Sequence, residues 1–105
     1  MMIQKTQNDS DVTLALSGRL DSVTQSDLMQ ELENIFQTNI SSLTLDLSAL
    51  EYLSSAGLRV FLFARKKVGE MGGKMKIINA SDVINEILQI TGYAEITVMR
   101  KRGKQ

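Results

Sequence analysis

The sequence predicts a single α/β domain built on a mixed, mostly parallel β-sheet with an antiparallel strand at its N-terminal edge. Strand-like segments, with apolar residues at every second position, alternate along the chain with segments of helical periodicity. The chain has 105 residues, 43% of them apolar, which suits one compact domain with an ordinary core. We expect the domain to span residues 1–99 and the basic segment 100–105 to form a disordered tail.

The chain opens with a predicted β-hairpin. Ile3–Gln7 has the composition of a weak strand, and the turn-forming residues of Asn8–Asp11 follow it. In Val12–Gly18, apolar side chains occupy every second position, as expected for a strand with one buried face.

The first helix is predicted after this hairpin, where the apolar period changes. Five apolar residues recur there at helical spacing: Leu28, Met29, Leu32, Ile35 and Phe36. Asp21 or Ser22 can cap the start of this helix, and Ser22 with Gln25 fits a capping box.

A second strand-to-helix unit follows. Ser42–Ser48 alternates and is predicted as a strand. Val60–Ala64 is a run of five apolar residues that could also form a strand. Since no breaker interrupts this part of the chain and helical spacing continues beyond it, we predict a helix over about Ser55–Met71, ended by Gly72–Gly73.

The last unit contains a strand, a helix and a strand. Lys74–Ala80 and Ala94–Met99 are the predicted strands. Ser81 or Asp82 caps the helix between them, and its apolar face is expected to hold Val83, Ile84, Ile87 and Leu88. The predicted order is β-β-α-β-α-β-α-β, with parallel neighbouring strands joined by right-handed crossovers.

Functional residues of such sheets gather in the loops beyond the carboxyl ends of the strands. Three segments are predicted to share that end: Gly18–Asp21, Ser48–Gly57 and Asn79–Asp82. They are the places where we look for a site.

Composition excludes several classes of function. The absence of cysteine excludes disulfides, thiolate nucleophiles and Cys-ligated zinc. The absence of histidine excludes a Ser-His-Asp triad. The net charge is zero, so nothing draws the whole chain to nucleic acid or to an anionic membrane. No apolar run approaches a membrane span and no signal peptide is present, which predicts a cytoplasmic protein.

Ser54 and Ser55, in "YLSSAGLR", pose the main functional question of the sequence. They could cap a helix, attack a substrate or accept a phosphate. A hydrolase elbow would read Gly-x-Ser-x-Gly, which is not found here, and a lysine base would have no motif behind it. Ser54 is well placed as an N-cap. Ser55 is then the spare hydroxyl at a helix N-terminus, where a phosphate is tolerated.

Other phosphate and metal sites fit less well. "SSAG" lacks the glycines and the Gly-Lys-Ser/Thr ending of a P-loop. Asp46, with Asp9, Asp11 and Asp21, could form a magnesium cluster as in a receiver domain. However, the first strand does not end in the pair of adjacent acidic residues that would hold the metal. We therefore expect no cofactor, no metal and no enzymatic activity.

Three segments resemble the STAS family, the domain shared by sulfate transporters and bacterial anti-sigma factor antagonists. "LSGRLDSVTQSDL" is similar to the family's opening segment, and "GGKMKIINASDVINEILQITGY" to its later strand and helix. "LTLDLSALEYLSSAGLRVFL" resembles its strand, loop and Asp-Ser-Ser/Thr-Gly-Leu switch, which is the most specific of the three matches.

The resemblance assigns roles around the two serines. With Gly57 on the family's glycine, Ser55 falls on the phosphoacceptor and Ala56 on the second hydroxyl position. Ser54 stands where the family usually has aspartate, so one negative charge beside the acceptor is missing. Two further recurrent acidic positions match Asp21 and Asp46, and the resemblance implies that both border the Ser55 loop.

The implied function is partner switching in an anti-sigma factor antagonist. The unphosphorylated form would bind an ATP-binding anti-sigma factor that is also a GHKL-type serine kinase, freeing the sigma factor. Phosphorylation of Ser55 would block binding, and a PP2C-type phosphatase would reset the switch. Neither direct nucleic-acid binding nor membrane binding is implied. Other members of the family lack the switch and serve as scaffolds, for example in lipid-transport ATPases, and this alternative stays open.

The partner surface is expected to include the Ser55 loop and the exposed side of the next helix. A helical wheel places five residues on the core side: Leu58, Phe61, Leu62, Ala64 and Val68. Phe63 falls on the polar side among charges, either as an anchor for a partner or as part of a more broadly buried helix. From the loop and this helix, Leu58, Arg59 and Phe63 are the predicted partner-binding residues.

Overall fold

A computed structural model of the protein describes residues 1–90 and 97–100, and it confirms the predicted order of elements. These are β1 (Met2–Asn8), β2 (Asp11–Leu20), α1 (Gln25–Ile35), β3 (Ser42–Leu53), α2 (Ser55–Glu70), β4 (Lys74–Ala80), α3 (Asp82–Ile90) and β5 (Thr97–Arg100).

The five strands form one sheet in the order β1-β2-β3-β4-β5. β1 is the antiparallel edge strand, and each later strand is parallel to the one before it. The hairpin turns tightly, since Asn8 and Asp11 are register partners. Asp9, in that turn, adopts a positive φ of 58°, which aspartate tolerates better than most residues. The predicted α/β class with its antiparallel edge is confirmed.

The core lies between the sheet and its helices. Consecutive parallel strands are neighbours, and right-handed crossovers between them place α1, α2 and α3 on one face of the sheet. Alternate residues of the two central strands are fully buried, namely Val12, Leu14, Leu16, Leu43, Leu45 and Leu47. The helices complete this core with residues such as Leu28, Leu32, Phe61, Ile84 and Leu88, each at most 1% exposed.

β3 is longer than the sequence predicted. The predicted strand ended at Ser48, whereas β3 continues to Leu53. Its register against β2 shifts twice, between Ala15 and Ser17 and between Gly18 and Arg19. β3 uses one more residue than β2 at each shift, which is the pattern of a β-bulge. The long functional loop expected over Ser48–Gly57 is therefore mostly strand and helix.

The helices begin and end close to their predicted bounds. α2 starts at Ser55 and stops at Glu70, shortly before Gly72–Gly73. In α3, however, Val83 is 66% exposed instead of lying on the apolar face. The last strand is β5, Thr97–Arg100, so it includes one residue of the predicted tail. Residues 94–96 of the predicted strand and residues 101–105 of the tail lie outside the described residues.

Candidate functional site

The candidate site lies where the carboxyl ends of β2 and β3 meet the first turn of α2. Leu20 and Leu53 are register partners at the ends of these two parallel strands. The backbone N–H of Ser54 donates to the carbonyl oxygen of Leu20 at 3.0 Å, so backbone pairing continues to the residue before the helix. Loops at this edge of a parallel sheet commonly carry function.

Ser54 is the N-cap of α2, as the sequence predicted. Its backbone is extended, with φ −97° and ψ 173°, and its Oγ accepts a hydrogen bond from the Gly57 N–H at 3.4 Å. Its carbonyl oxygen accepts from the Leu58 N–H at 3.0 Å, which is the first bond of the helix. Both bonds fit the geometry of an N-cap serine, so the Ser54 side chain is used by the fold.

Ser55 is the first residue of α2, and its side chain is exposed. Ser54 already caps the helix. Within residues 1–90 and 97–100, the Ser55 hydroxyl has no hydrogen-bond partner. Arg59, one turn further along the helix, is exposed as well. The two neighbouring serines therefore differ, because one is a structural cap and the other a free hydroxyl.

Gly57 brings the first turn of α2 close to the sheet. A Cβ atom at this position would lie 2.7 Å from Leu20 Cγ and 2.8 Å from Leu53 Cδ1. Both leucines are at most 3% exposed and belong to the core. Only glycine allows this approach without moving a core side chain, which gives the glycine after the serines a packing role.

The Asp21 carboxylate organises the turn between β2 and α1. Its Oδ1 accepts hydrogen bonds from the Val23 N–H at 3.0 Å and from the Thr24 N–H at 3.1 Å. The Thr24 hydroxyl also donates to the carbonyl oxygen of Arg19 at 2.8 Å. The Thr24 amide bond, then the Val23 amide, the Thr24 hydroxyl and the Arg19 charge lower the pKa of the Asp21 carboxyl, although partial burial opposes them.

Of the two predicted caps of α1, Asp21 makes capping bonds, although the regular helix begins later than predicted. The helix begins at Gln25, and its N-cap is Thr24, whose side chain makes no capping bond. Asp21 acts one turn earlier, and its carbonyl oxygen accepts from the Gln25 N–H at 2.9 Å. The capping box of Ser22 with Gln25 does not form, because Gln25 is the first residue of the helix rather than its third.

Arg19 and Tyr52 form a contact that the sequence analysis missed. The guanidinium carbon lies 4.2 Å from the centre of the Tyr52 ring, a cation–π geometry. Arg19 Nε also lies 3.8 Å from Asp21 Oδ2. Arg19 and Tyr52 are register partners only because β3 bulges, so no spacing in the sequence reveals their contact.

Asp46 does not border the Ser55 loop, which corrects the role that the resemblance implied. Its Oδ1 accepts hydrogen bonds from the Ser48 N–H at 3.0 Å and from Asn79 Nδ2 at 3.2 Å. Its register partner is Ala15, five residues before Leu20, which is about 16 Å of strand. The carboxylate ties β3 to the end of β4 instead.

The exposed face of α2 differs from the helical wheel. Leu58, predicted as a partner-binding residue, is only 3% exposed, so its side chain belongs to the core and not to the surface. Leu62, predicted for the core, is 43% exposed, whereas Val60 is buried. Phe63 is half-buried, with its ring edge-on to Phe36 at 6.1 Å between centroids. Since α1 packs beside α2, the buried arc of α2 is broader and rotated relative to the wheel.

Comparison with known protein families identifies the family of the domain. A family profile described as the STAS domain matches residues 2–103. The chain belongs to the STAS family.

A sequence relative and a structural relative of this STAS domain are both anti-sigma factor antagonists. The anti-sigma-B factor antagonist of Bacillus subtilis (strain 168) is 29% identical over 90 residues, which cover 86% of this chain and 82% of the relative. The anti-sigma factor antagonist SpoIIAA in its unphosphorylated form superposes with a TM-score of 0.85 at 16% identity, covering 96% of this chain and 90% of the other.

A second SpoIIAA structure shares the fold of this STAS domain. It is described as the Bacillus cell fate determinant SpoIIAA in the phosphorylated form. Its TM-score is 0.77 at 16% identity, with 96% of this chain and 93% of that chain covered. At this level of identity, both SpoIIAA comparisons establish the shared fold.

Within the described part of the STAS domain, no three acidic side chains lie close enough together to hold a metal ion. In the same residues, no helix is long and apolar enough to cross a membrane.

Proposed function

We propose that this STAS domain is an anti-sigma factor antagonist that acts by partner switching under the control of Ser55. Unphosphorylated, it binds an ATP-binding anti-sigma factor of the GHKL type and so frees the sigma factor. The same partner then transfers the γ-phosphoryl group of ATP to Ser55 Oγ, and ADP leaves. The phosphorylated domain no longer binds, until a PP2C-type phosphatase hydrolyses the phosphate.

The free hydroxyl of Ser55 carries this proposal. It is exposed at the start of a helix of 16 residues, while Ser54 caps that helix. Modification of the Ser55 hydroxyl breaks no hydrogen bond of the fold among the described residues. A kinase can therefore modify Ser55 without dismantling the junction between β3 and α2.

A phosphate is compatible with the position of Ser55. The N-terminus of a helix carries partial positive charge and unpaired N–H groups, and both favour an anion. The added group carries about −1.5 to −2 charges at neutral pH. We therefore expect the charge to change the surface without unfolding the domain.

The relatives support an anti-sigma factor as the partner. The name of the Bacillus subtilis relative gives the anti-sigma-B factor as its target. SpoIIAA is an anti-sigma factor antagonist with structures in an unphosphorylated and a phosphorylated form. We extend that type of partner, and that form of control, to this chain.

The partner surface that we propose consists of Ser55, Arg59 and Leu62. All three side chains are exposed, and Leu62 supplies an apolar contact between charges. A partner that packs against Ser55 has to desolvate the phosphate, at a cost of a few kcal/mol unless the partner itself supplies a cation that compensates for it. Such a cost lowers affinity by orders of magnitude.

Ser54 keeps one feature of the family's aspartate and loses another. Serine and aspartate are both good N-caps, so the helix start is preserved. The negative charge beside the acceptor is absent. We propose that the cognate kinase recognises Ser55 without that charge.

Mapping the phosphate tests the proposal. The purified domain would be incubated with ATP and the GHKL kinase that co-purifies with it in the source organism, and peptides would be read by mass spectrometry. We expect phosphate on Ser55, none in Ser55→Ala, and normal modification in Ser81→Ala, a matched N-cap serine of α3. Phosphate on Ser54, or none with a kinase proven to bind, would contradict it.

Binding distinguishes a switch from a scaffold. In titration calorimetry against that kinase, Ser55→Ala should bind as the parent does, and Ser55→Asp at least tenfold more weakly. ATP should release the parent but not Ser55→Ala. A transporter ATPase as the co-purifying partner, with equal affinities for all three proteins, would favour the scaffold function.

A further inference from the structure

Arg59 is the nearest cationic neighbour of Ser55 along α2. Residues four apart on a helix have Cβ atoms roughly 5–6 Å apart on the same face. Ser55 and Arg59 are both exposed, whereas Leu58, three residues after Ser55, is buried in the core. The surface one turn after the phosphoacceptor is therefore occupied by a guanidinium group.

The Arg59 side chain is aimed toward Ser55 by the helix itself. Side chains on a helix lean toward its N-terminus, so a long side chain covers the turn before its own Cα. A negative group followed by a positive group four residues later is the more favourable order of such a pair. The planar guanidinium also matches phosphate oxygens in a bidentate geometry.

Arg59 is available for such a contact, and the other nearby arginine is not. Within the described residues, Arg59 has no hydrogen bond, ion pair or ring contact. Arg19 is held between Asp21 and the Tyr52 ring. The Leu20 side chain lies against Gly57 of α2, on the face of the sheet that the helices cover. Because side chains alternate along a strand, the adjacent Arg19 lies on the opposite face.

We propose that phosphate on Ser55 is bound in cis by Arg59, as an ion pair within the first turns of α2. The inference deepens the proposed function and rests on it for its biological meaning. In the switch, phosphorylation then removes a free cation from the partner surface at the same time as it adds an anion. Arg59 is thus a positioning residue that takes part in release of the partner.

Phosphoserine encoded genetically at position 55 allows a test that needs no kinase. Phosphorus NMR would follow its second pKa, which is ordinarily near 6. We expect Arg59→Gln to raise this pKa by roughly 0.2–0.4 pH unit, which is the energy of a helical pair of this spacing converted to pH units. Arg59→Lys should keep part of the effect, since it retains the charge.

Two matched variants separate the pair from the general field of the protein. Lys66→Gln removes an exposed cation of the same helix, three turns from the phosphate, and should leave the pKa almost unchanged. Arg19→Gln should do the same if Arg19 stays on the other face. An equal pKa in Arg59→Gln and the parent, or an equal shift in Lys66→Gln, would overturn the proposal.

A second probe covers the case in which the phosphorylated protein does not fold. Ser55→Asp introduces a carboxyl at the same place, and its pKa by carbon NMR should be higher after Arg59→Gln is added. The outcomes are independent of the proposed function. An Arg59-dependent pKa without any kinase that modifies Ser55 would refute the switch alone, whereas phosphorylation by a kinase with an Arg59-independent pKa would refute the pair alone.

Discussion

The two junctions from β3 to α2 and from β4 to α3 begin their helices in the same way. Ser54 Oγ accepts from the Gly57 N–H at 3.4 Å, and Ser81 Oγ accepts from the Ile84 N–H at 3.2 Å. Each serine carbonyl oxygen also accepts the first helical N–H, at 3.0 Å from Leu58 and 2.8 Å from Asn85. Capping alone therefore does not make one of these junctions a switch.

The residues after the two caps differ in charge. Asp82 follows Ser81 and gives α3 a permanent negative charge at its first position, while Ser55 gives α2 a neutral hydroxyl. Four residues later, α3 has Glu86 and α2 has Arg59. The first turn of α3 therefore carries a fixed negative charge, whereas the first turn of α2 carries a neutral hydroxyl with a cation one turn away. In the proposed function, an anion is added to that hydroxyl and removed from it.

The third helical positions differ in size, and this difference gives the largest predicted effect. Ile84 fills the core at α3, whereas a Cβ at Gly57 would overlap Leu20. We expect Gly57→Ala to destabilise the domain by about 1–3 kcal/mol in urea unfolding, through overpacking. Gly69→Ala is the control, because it lies in the same helix with nothing within 4 Å of its added Cβ. It should stabilise by roughly 0.5–1 kcal/mol. Equal effects of the two changes would show that Gly57 has no packing role.

The shared capping predicts matched losses at the two serines. Ser54→Ala and Ser81→Ala should each lower the free energy of unfolding by about 1 kcal/mol, since each leaves a helix N–H without its partner. Ser55→Ala should change it by much less, because that hydroxyl has no partner among the described residues. Chemical denaturation measures all three. A loss at Ser55 as large as that at Ser54 would remove the distinction between cap and free hydroxyl.

Ser55→Asp places an aspartate at the first position of α2, as Asp82 is in α3. This change should stabilise the domain, by less than the capping variants destabilise it. The new carboxylate faces the helix N-terminus and Arg59, so we expect stabilisation by about 0.3–1 kcal/mol at low ionic strength. Added salt should reduce the gain. Thermal melts at two salt concentrations would check it, and destabilisation at low salt would mean that the site does not tolerate an anion.

Asp21 extends the comparison to α1, because the turn that starts this helix is held by a carboxylate instead of a serine. Its pKa is lowered in the folded state, so the ionised form stabilises the fold. This stabilisation is complete above the unfolded pKa of about 3.9 and is lost as the pH falls through the lower folded value. Asp21→Asn should therefore melt below the parent at pH 7, and the gap should close as the pH falls below about 4. A gap that stays constant with pH would contradict this role.

Several features of the site could be predicted from local sequence. The start of α2 at Ser55, the cap at Ser54 and the end of the helix before Gly72–Gly73 follow from side chains and backbone within a few residues of each other. Ser81 was one of two candidate caps for α3, and the structure selects it over Asp82. At α1, the candidates were Asp21 and Ser22, and the structure selects Asp21. The capping box of Ser22 with Gln25 does not form, because the helix begins only at Gln25.

The sequence by itself determined the α/β class, the order of the elements and the free position of Ser55, because these depend on periodicity and on helix ends. The tertiary structure decided the rest. The bulges of β3, which arise in its pairing with β2, pair Arg19 with Tyr52. The continuation of β3 to Leu53 places Asp46 far from the first turn of α2. The packing of α1 beside α2 half-buries Phe63 and leaves Leu62 exposed. Such features depend on which distant segments meet, and a helical wheel or a strand alternation contains no information about that.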